Sequence, residues 1–219
     1  MSDIPVIIVT GCARSGTSLV AGILNKCGAY QGHIMGRTRW NKKGQFENNS
    51  LRDHMTKPYL RRIGADPMGQ DPLPPLDVPV VDDWDEKFLS LMRGQDWDGI
   101  KPLMVKEAKA CLMWQVWDHV FPNAKWVVVR RKDKSVIDSC LKTSFMRKRK
   151  TRESWQEWIV HHKVQFQRMK EAGLWMLDVW PEMFFRDSGL NTMKSMVIAL
   201  GLSWKEANVL EFIDHELWH

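Results

Sequence analysis

The stretch IPVIIVTGCARSGTSLVAGILNKCG, residues 4–28, decides the fold. Residues 4–9 are continuously apolar and β-branched, the pattern of a strand buried on both faces. Leu19, Val20, Ile23, Leu24 and Cys27 recur at the 3.6-residue period, which predicts a helix over 17–27 with one apolar face. Gly28 stands where a left-handed C-terminal cap belongs. Between strand and helix the spacing Gly11-x-x-x-x-Gly16 is that of a phosphate-binding loop, although a tight strand-to-helix turn meets the same spacing. A nucleoside-triphosphatase loop carries lysine directly after the second glycine. Here that residue is Thr17, and the basic residue is Arg14. The backbone N–H groups of such a loop cradle an anion at the positive end of the helix dipole. Ser15, Thr17 and Ser18 add hydroxyls, and Arg14 adds a charged planar fork of donors.

Working outward, residues 29–46 read as loop and 47–63 as a helix that Pro58 bends. Five prolines and a glycine make 65–83 an irregular connection, and a short helix follows at 84–94. Strands at 102–106 and 125–130 alternate with helices at 109–120 and 133–143, the signature of a parallel sheet. A long helix at 152–171, a strand at 174–179 and helices at 188–200 and 203–215 complete the chain. The prediction is one α/β domain over 1–219, a three-layer sandwich with a central parallel sheet and a Pro-rich irregular segment at about 64–100. Ligands bind beyond the carboxyl ends of strands in such sheets. The loops after residues 9, 106 and 130 should therefore share one site.

Composition narrows the classes. With 219 residues, 44% apolar and 26% charged, the chain can bury a globular core. No apolar run reaches the roughly 18–20 residues of a membrane span, and the N-terminus lacks the pattern of a secretory leader. Cys12, Cys27, Cys111 and Cys140 form no C-x-x-C pair, so reduced thiols and a cytoplasmic location are expected. The net charge of +6 suits nucleic acid, a membrane surface or a small anionic ligand. Its densest cluster, RKRKTR at 147–152, reads equally as a solvated loop or helix start. Trp114/Trp117 and Trp155/Trp158 fall at helical spacing, which points to core packing.

Two further strand ends carry charge. The strand at 102–106 leads into Lys106, Glu107 and Lys109, and the strand at 125–130 into Arg130, Arg131, Lys132 and Asp133. Cations at both ends suit an anion better than a metal, and the neighbours of Asp133 oppose its service as a metal ligand. Ser139 lies eight residues after Arg131, two turns into the next helix, so the pair can hold one phosphate between them. HELWH at 215–219 matches a zinc pattern in letters, but no further ligand follows it. His161 and His162 are read as exposed on a polar helix.

The pairing of ARSGTSL with VVVRRKDKSVIDS resembles the sulfotransferases that use 3′-phosphoadenosine 5′-phosphosulfate, whose fold is P-loop-like. KGQFENN (43–49) is similar to the segment after the first helix in bacterial and viral-type members. MVKEAKACLMW is similar to their K-[DE]-P-R-like strand end, and the C-terminal stretch to their closing helices. The family's loop proline is Ala13 here, and the P-R of the third motif is Ala108-Lys109. The resemblance implies a soluble enzyme that needs no metal. It puts the 5′-phosphosulfate against Ala13, Arg14, Ser15, Gly16, Thr17 and Ser18, with Arg14 at the bridging oxygen. It puts the 3′-phosphate against Arg131 and Ser139. Lys106, Glu107 and Lys109 would line the site, and the product would be 3′,5′-bisphosphoadenosine. The acceptor, a small molecule, glycan or peptide bearing a hydroxyl or amine, is not legible; the 147–152 cluster suggests an anionic one. No nucleic acid partner is expected. For the general base the candidates are Glu47, Glu107, His33 and His54. Glu47 is preferred because it opens a predicted helix, while Lys106 and Lys109 would pair with Glu107 and depress its basicity. Two other readings stay open: a nucleotide or small-molecule kinase with a degenerate loop, and a non-catalytic basic module that binds polyanions.

Overall fold

In a computed structural model, described for residues 4–36 and 42–214, the opening apolar run forms β1 (Val6–Gly11), and all six of its residues are buried. It lies in a four-stranded sheet of order β2-β1-β3-β4, with β2 at Leu103–Lys106, β3 at Lys125–Val129 and β4 at Met176–Val179. Every pairing is parallel. The register sets Val9 opposite Lys106 and Gly11 opposite Val129, so three strands deliver their carboxyl ends to one place.

Alternate residues of the strands feed two cores, as strand periodicity requires. Ile7, Val9, Val127 and Val129 pack against α1 (Thr17–Lys26), α8 (Gly189–Ala199) and α9 (Glu206–Phe212). Ile8, Val105, Trp126 and Val128 pack against α4 (Trp84–Arg93), α5 (Trp114–Val120), α6 (Asp133–Lys142) and α7 (Arg152–Glu171). The result is the expected three-layer α/β sandwich. The paired tryptophans are core, with Trp117 and Trp155 wholly inaccessible. All four cysteines are buried free thiols.

Three elements differ from the reading of the sequence. The helix predicted at 47–63 begins at Asn49 behind an Asn48 cap and continues as α2 (Asn49–Leu51), a π turn (Arg52–Thr56) and α3 (Lys57–Arg62). The widened turn stands directly before Pro58, whose ring and missing N–H do not fit a regular α-turn. Glu47 is therefore outside the helix rather than its first residue. Residues Ala108–Met113 form a 3-10 turn capped by the Glu107 side chain, and only then does α5 begin. A 3-10 turn at Pro181–Phe185 follows β4. No helix among the described residues is long and apolar enough to cross a membrane.

Candidate active site

The loop between β1 and α1 is held by backbone conformations that few residues tolerate. Gly11 passes so close to β3 that a Cβ would sit 2.5 Å from the Val129 carbonyl oxygen. Gly16, at the N-cap of α1, has φ +101°, and Arg14 itself takes φ +73°. Gly16 offers no capping side chain to α1, which leaves the N–H groups of Thr17 and Ser18 without a cap from that residue. Two tethers fix the neighbouring strand ends to this loop. Thr10 Oγ1 donates to the Ala108 carbonyl and accepts from Cys111 N, joining the 3-10 turn after β2 to β1. Arg131 Nη1 donates to the Arg14 carbonyl at 3.0 Å, joining the end of β3 to the loop.

A cavity of about 820 Å³ opens over these three ends. Ala13, Arg14, Gly16, Thr17 and Ser18 line it from the loop, with Arg131 and Ser139 from β3 and α6 and Lys106 and Lys109 from β2. Arg14 Nε donates to Ser139 Oγ at 3.0 Å, so the loop arginine and the α6 serine already share one site. Burial lowers the pKa of both Arg14 and Arg131, and in Arg14 the nearby Arg131 adds to the shift. Among the described residues no carboxylate lies within ion-pair distance of Arg14. Ser18 Oγ donates to the Gln45 carbonyl. Ser15 does not line the cavity: it is 1% exposed and its Oγ lies beneath the loop without a partner.

Of the other cavity cations, Lys43, Arg52, Lys57, Lys106 and Lys109 face carboxylates. Lys106 Nζ meets Glu47 Oε1 at 2.6 Å, and Arg52 approaches the other oxygen of Glu47 at 3.8 Å. Burial raises the pKa of Glu47, but Lys106, Lys109 and Arg52 outweigh it and the net shift is downward. Glu107 is 1% exposed, lies outside the cavity lining and binds Lys109 Nζ at 2.6 Å and Lys109 N at 3.2 Å. Burial lowers the pKa of Lys109, while Glu107 and Glu47 reverse this to a net rise. The expected pairing of Glu107 with both lysines is thus corrected: Lys106 belongs to Glu47. Asp53 takes both Arg52 and Lys57, and Lys43 faces Asp214 at 4.0 Å.

Other expected residues lie elsewhere. His33 and His54 border a second, shallower depression with Asp83, Glu86 and Lys87. Arg130 pairs with Asp178 at 2.6 Å and covers the Phe166 ring. Asp133 is tied to Lys163 and Gln156 of α7. In the basic cluster, Arg149 pairs with Asp71 and Glu157, and Arg152 with Asp138. HELWH lies outside the described residues.

The expectation of an exposed histidine pair fails at His162, which is 1% exposed and lines the cavity. Trp155, Trp158, Ile159, His162, Phe166 and Met169 form one buried stripe at steps of three and four, so helical arithmetic places His162 inward. Met68 and Gly69, from the Pro-rich segment, also line the cavity.

The sequence matches no family model and no curated protein. Solved structures that match include three sulfotransferases. The sulfotransferase domain from the curacin biosynthetic pathway matches at TM-score 0.59 and 12% identity, over 99% of this chain and 80% of that one. The sulfotransferase domain of the Synechococcus PCC 7002 olefin synthase matches at TM-score 0.58 and 14% identity, over the same shares. A sulfotransferase from Mycobacterium tuberculosis matches at TM-score 0.47 and 12% identity, over 97% of this chain and 71% of that one. With its all-parallel sheet and glycine-bounded loop, the chain has the P-loop-like fold of the two sulfotransferase domains.

Proposed function

We propose that this chain is a sulfotransferase that moves a sulfuryl group from 3′-phosphoadenosine 5′-phosphosulfate to a hydroxyl or amine acceptor. One observation carries the reading: two partly buried arginines from adjacent strand ends, Arg14 and Arg131, converge on a helix N-terminus whose loop lacks the triphosphatase lysine. Desolvated guanidinium groups with depressed pKa gain most from an anion. The residues fit the donor. The α1 N–H groups with Thr17, and with Ser18 once its hydroxyl turns from the Gln45 carbonyl, would take the 5′-phosphate, and Arg131 with Ser139 the 3′-phosphate. In transfer, the acceptor oxygen or nitrogen bonds to sulfur as the sulfur–oxygen bond to the 5′-phosphate breaks. Negative charge develops on that phosphate, and Arg14 would stabilise it electrostatically. The acceptor's proton goes to a general base. Glu47 is the proposed base because it lines the cavity, which Glu107 does not; Lys106 lowers its proton affinity and holds it there.

The test is calorimetry with 3′,5′-bisphosphoadenosine against AMP. The bisphosphate should bind more tightly by roughly 2–4 kcal/mol, because an ionised phosphate gains several charge-assisted hydrogen bonds. Arg131→Ala should remove most of that gap and leave AMP affinity nearly unchanged. Equal affinities in the wild type would sink the reading. Turnover that stops in EDTA and returns only with Mg²⁺ would favour a kinase.

A further inference from the structure

One wall of the cavity has no part in holding phosphates. Met68, Gly69, Phe145, Met146, Trp158 and His162 form it, and hydrogen bonds make it one piece. Trp158 Nε1 donates to the Gly69 carbonyl at 2.7 Å, and Gln70 Nε2 to the Phe145 carbonyl at 2.8 Å. The wall abuts the end of β2: Gly69 lies against Lys109, where a Cβ would approach Lys109 Cγ to 2.8 Å. It therefore begins beside the strand end opposite to Arg131 and Ser139, across β1.

Among the described residues, no buried charge is left over for this wall. Lys106, Lys109, Arg52, Lys57 and Lys43 all face carboxylates. Arg14 and Arg131 are claimed by the donor. Among the described cavity cations, Lys42 and Lys142 have no carboxylate within ion-pair distance, and both are exposed, where solvent screens them. The polar group that the wall itself offers is His162. Its Nδ1 lies 2.8 Å from the Trp158 carbonyl, which can only accept, so Nδ1 carries the proton and Nε2 keeps its lone pair. Its ring packs on the Trp158 indole with centroids 4.0 Å apart, which fixes its direction. Burial, offset in part by the Trp158 carbonyl and reinforced by His161 and Arg149, pushes its pKa down to about 3, so the lone pair is present at neutral pH.

We propose that His162 is the acceptor-binding residue, its Nε2 taking a hydrogen bond from an O–H or N–H of an uncharged acceptor whose flat apolar body lies on the Trp158–Phe145 wall. The word acceptor rests on the sulfotransferase reading; the preference for a neutral, hydrogen-bond-donating ligand does not. It competes with the anionic acceptor that the 147–152 cluster suggested, and the experiment separates the two.

The experiment uses the full chain, with and without saturating 3′,5′-bisphosphoadenosine, titrated with 2-naphthol and with 2-naphthoate, its anionic counterpart. Calorimetry gives affinities, and ¹⁵N-edited NMR of the histidine rings reports on His162. Naphthol should bind at least about tenfold more tightly than naphthoate and should shift the His162 Nε2 resonance. His162→Phe should weaken naphthol binding about three- to tenfold, the worth of one hydrogen bond, with bisphosphoadenosine affinity unchanged. His162→Gln, which keeps an acceptor oxygen, should recover part of the loss. An unmoved His162 resonance at naphthol saturation, naphthoate binding as tight as naphthol, or no naphthol binding at millimolar concentration each overturns the proposal. If His162→Phe does not fold, the wild-type resonance still decides. Loss of the bisphosphoadenosine preference with naphthol still shifting His162 would sink the sulfotransferase reading and spare the wall. The reverse pattern would sink the wall alone.

Discussion

At the glycine-bounded loop, Arg14 is partly buried with a hydroxyl beside it and, among the described residues, no carboxylate. At the end of β2, about one strand spacing away, Lys106 and Lys109 each hold a carboxylate at 2.6 Å. The fold thus keeps similar charges in opposite states. Removing charge from the first rim relieves the free protein and harms a bound anion. Removing it from the second strands a buried partner. The lesson is that an uncompensated cation, not a cluster of cations, marks where an anion binds.

The largest expected effects break the second rim. Glu47→Gln should cut turnover by about 10²–10⁴-fold, the usual range for a general base, with bisphosphoadenosine affinity kept within a few-fold. Normal turnover would remove Glu47 from the chemistry. Glu107→Gln should act on stability instead: it leaves Lys109 buried beside an uncharged amide, at a cost of about 3–5 kcal/mol in denaturant unfolding. A loss under about 1 kcal/mol would show that water reaches Lys109 and that the rim is not sealed.

Arg14→Ala is the converse on the first rim. It should lower kcat by about 10²-fold or more while nucleotide affinity falls less. Unfolding free energy should change by under about 1 kcal/mol, since relief of a buried cation offsets lost packing. If the variant lost stability like Glu107→Gln, the two rims would not differ. If it lost only affinity, Arg14 would be a ground-state contact.

Much of this was legible in the sequence because period-2 and period-3.6 patterns are local. The β2 and β3 strand ends, to within a residue, and the whole of α7 stand where the pattern put them, and the first strand, expected at 4–9, lies two residues later at Val6–Gly11. The arginine and serine spaced by eight residues were readable because one strand and one helix carry both. Pairing was not readable: Glu47 and Lys106 are 59 residues apart, and nothing local says that Lys106 chooses Glu47 over its neighbour Glu107. Ser15 looked like its loop neighbours, yet the turn that aims Thr17 outward sends Ser15 beneath the loop. His162 was readable and misread, because the charged residues around it hid the stripe from Trp155 to Met169.

The smallest expected effect compares the two rims with the wall that joins them, where a titratable group is held uncharged. His162 has a folded pKa of about 3, against an ordinary histidine value near 6.5 in the unfolded chain. Between those values the unfolded chain takes up a proton that the folded protein refuses, so stability is fully present above about pH 6.5 and falls as pH drops toward 3. At about 1.4 kcal/mol per pH unit, the loss between pH 6.5 and pH 5 is about 2 kcal/mol. Burial also lowers the pKa of His161, which adds a smaller slope of the same sign. Glu47 and Asp133, with pKa values below the usual carboxylate range, give up their contributions only at lower pH, and Asp118, raised by burial, acts with the opposite sign, so the His162→Phe difference isolates the histidine. Urea unfolding of the wild type across pH 5–7 should show that slope, and His162→Phe should flatten most of it. An unchanged slope would mean that His162 is hydrated and titrates normally, and the contrast between an uncharged wall and the charged rims would fail there first.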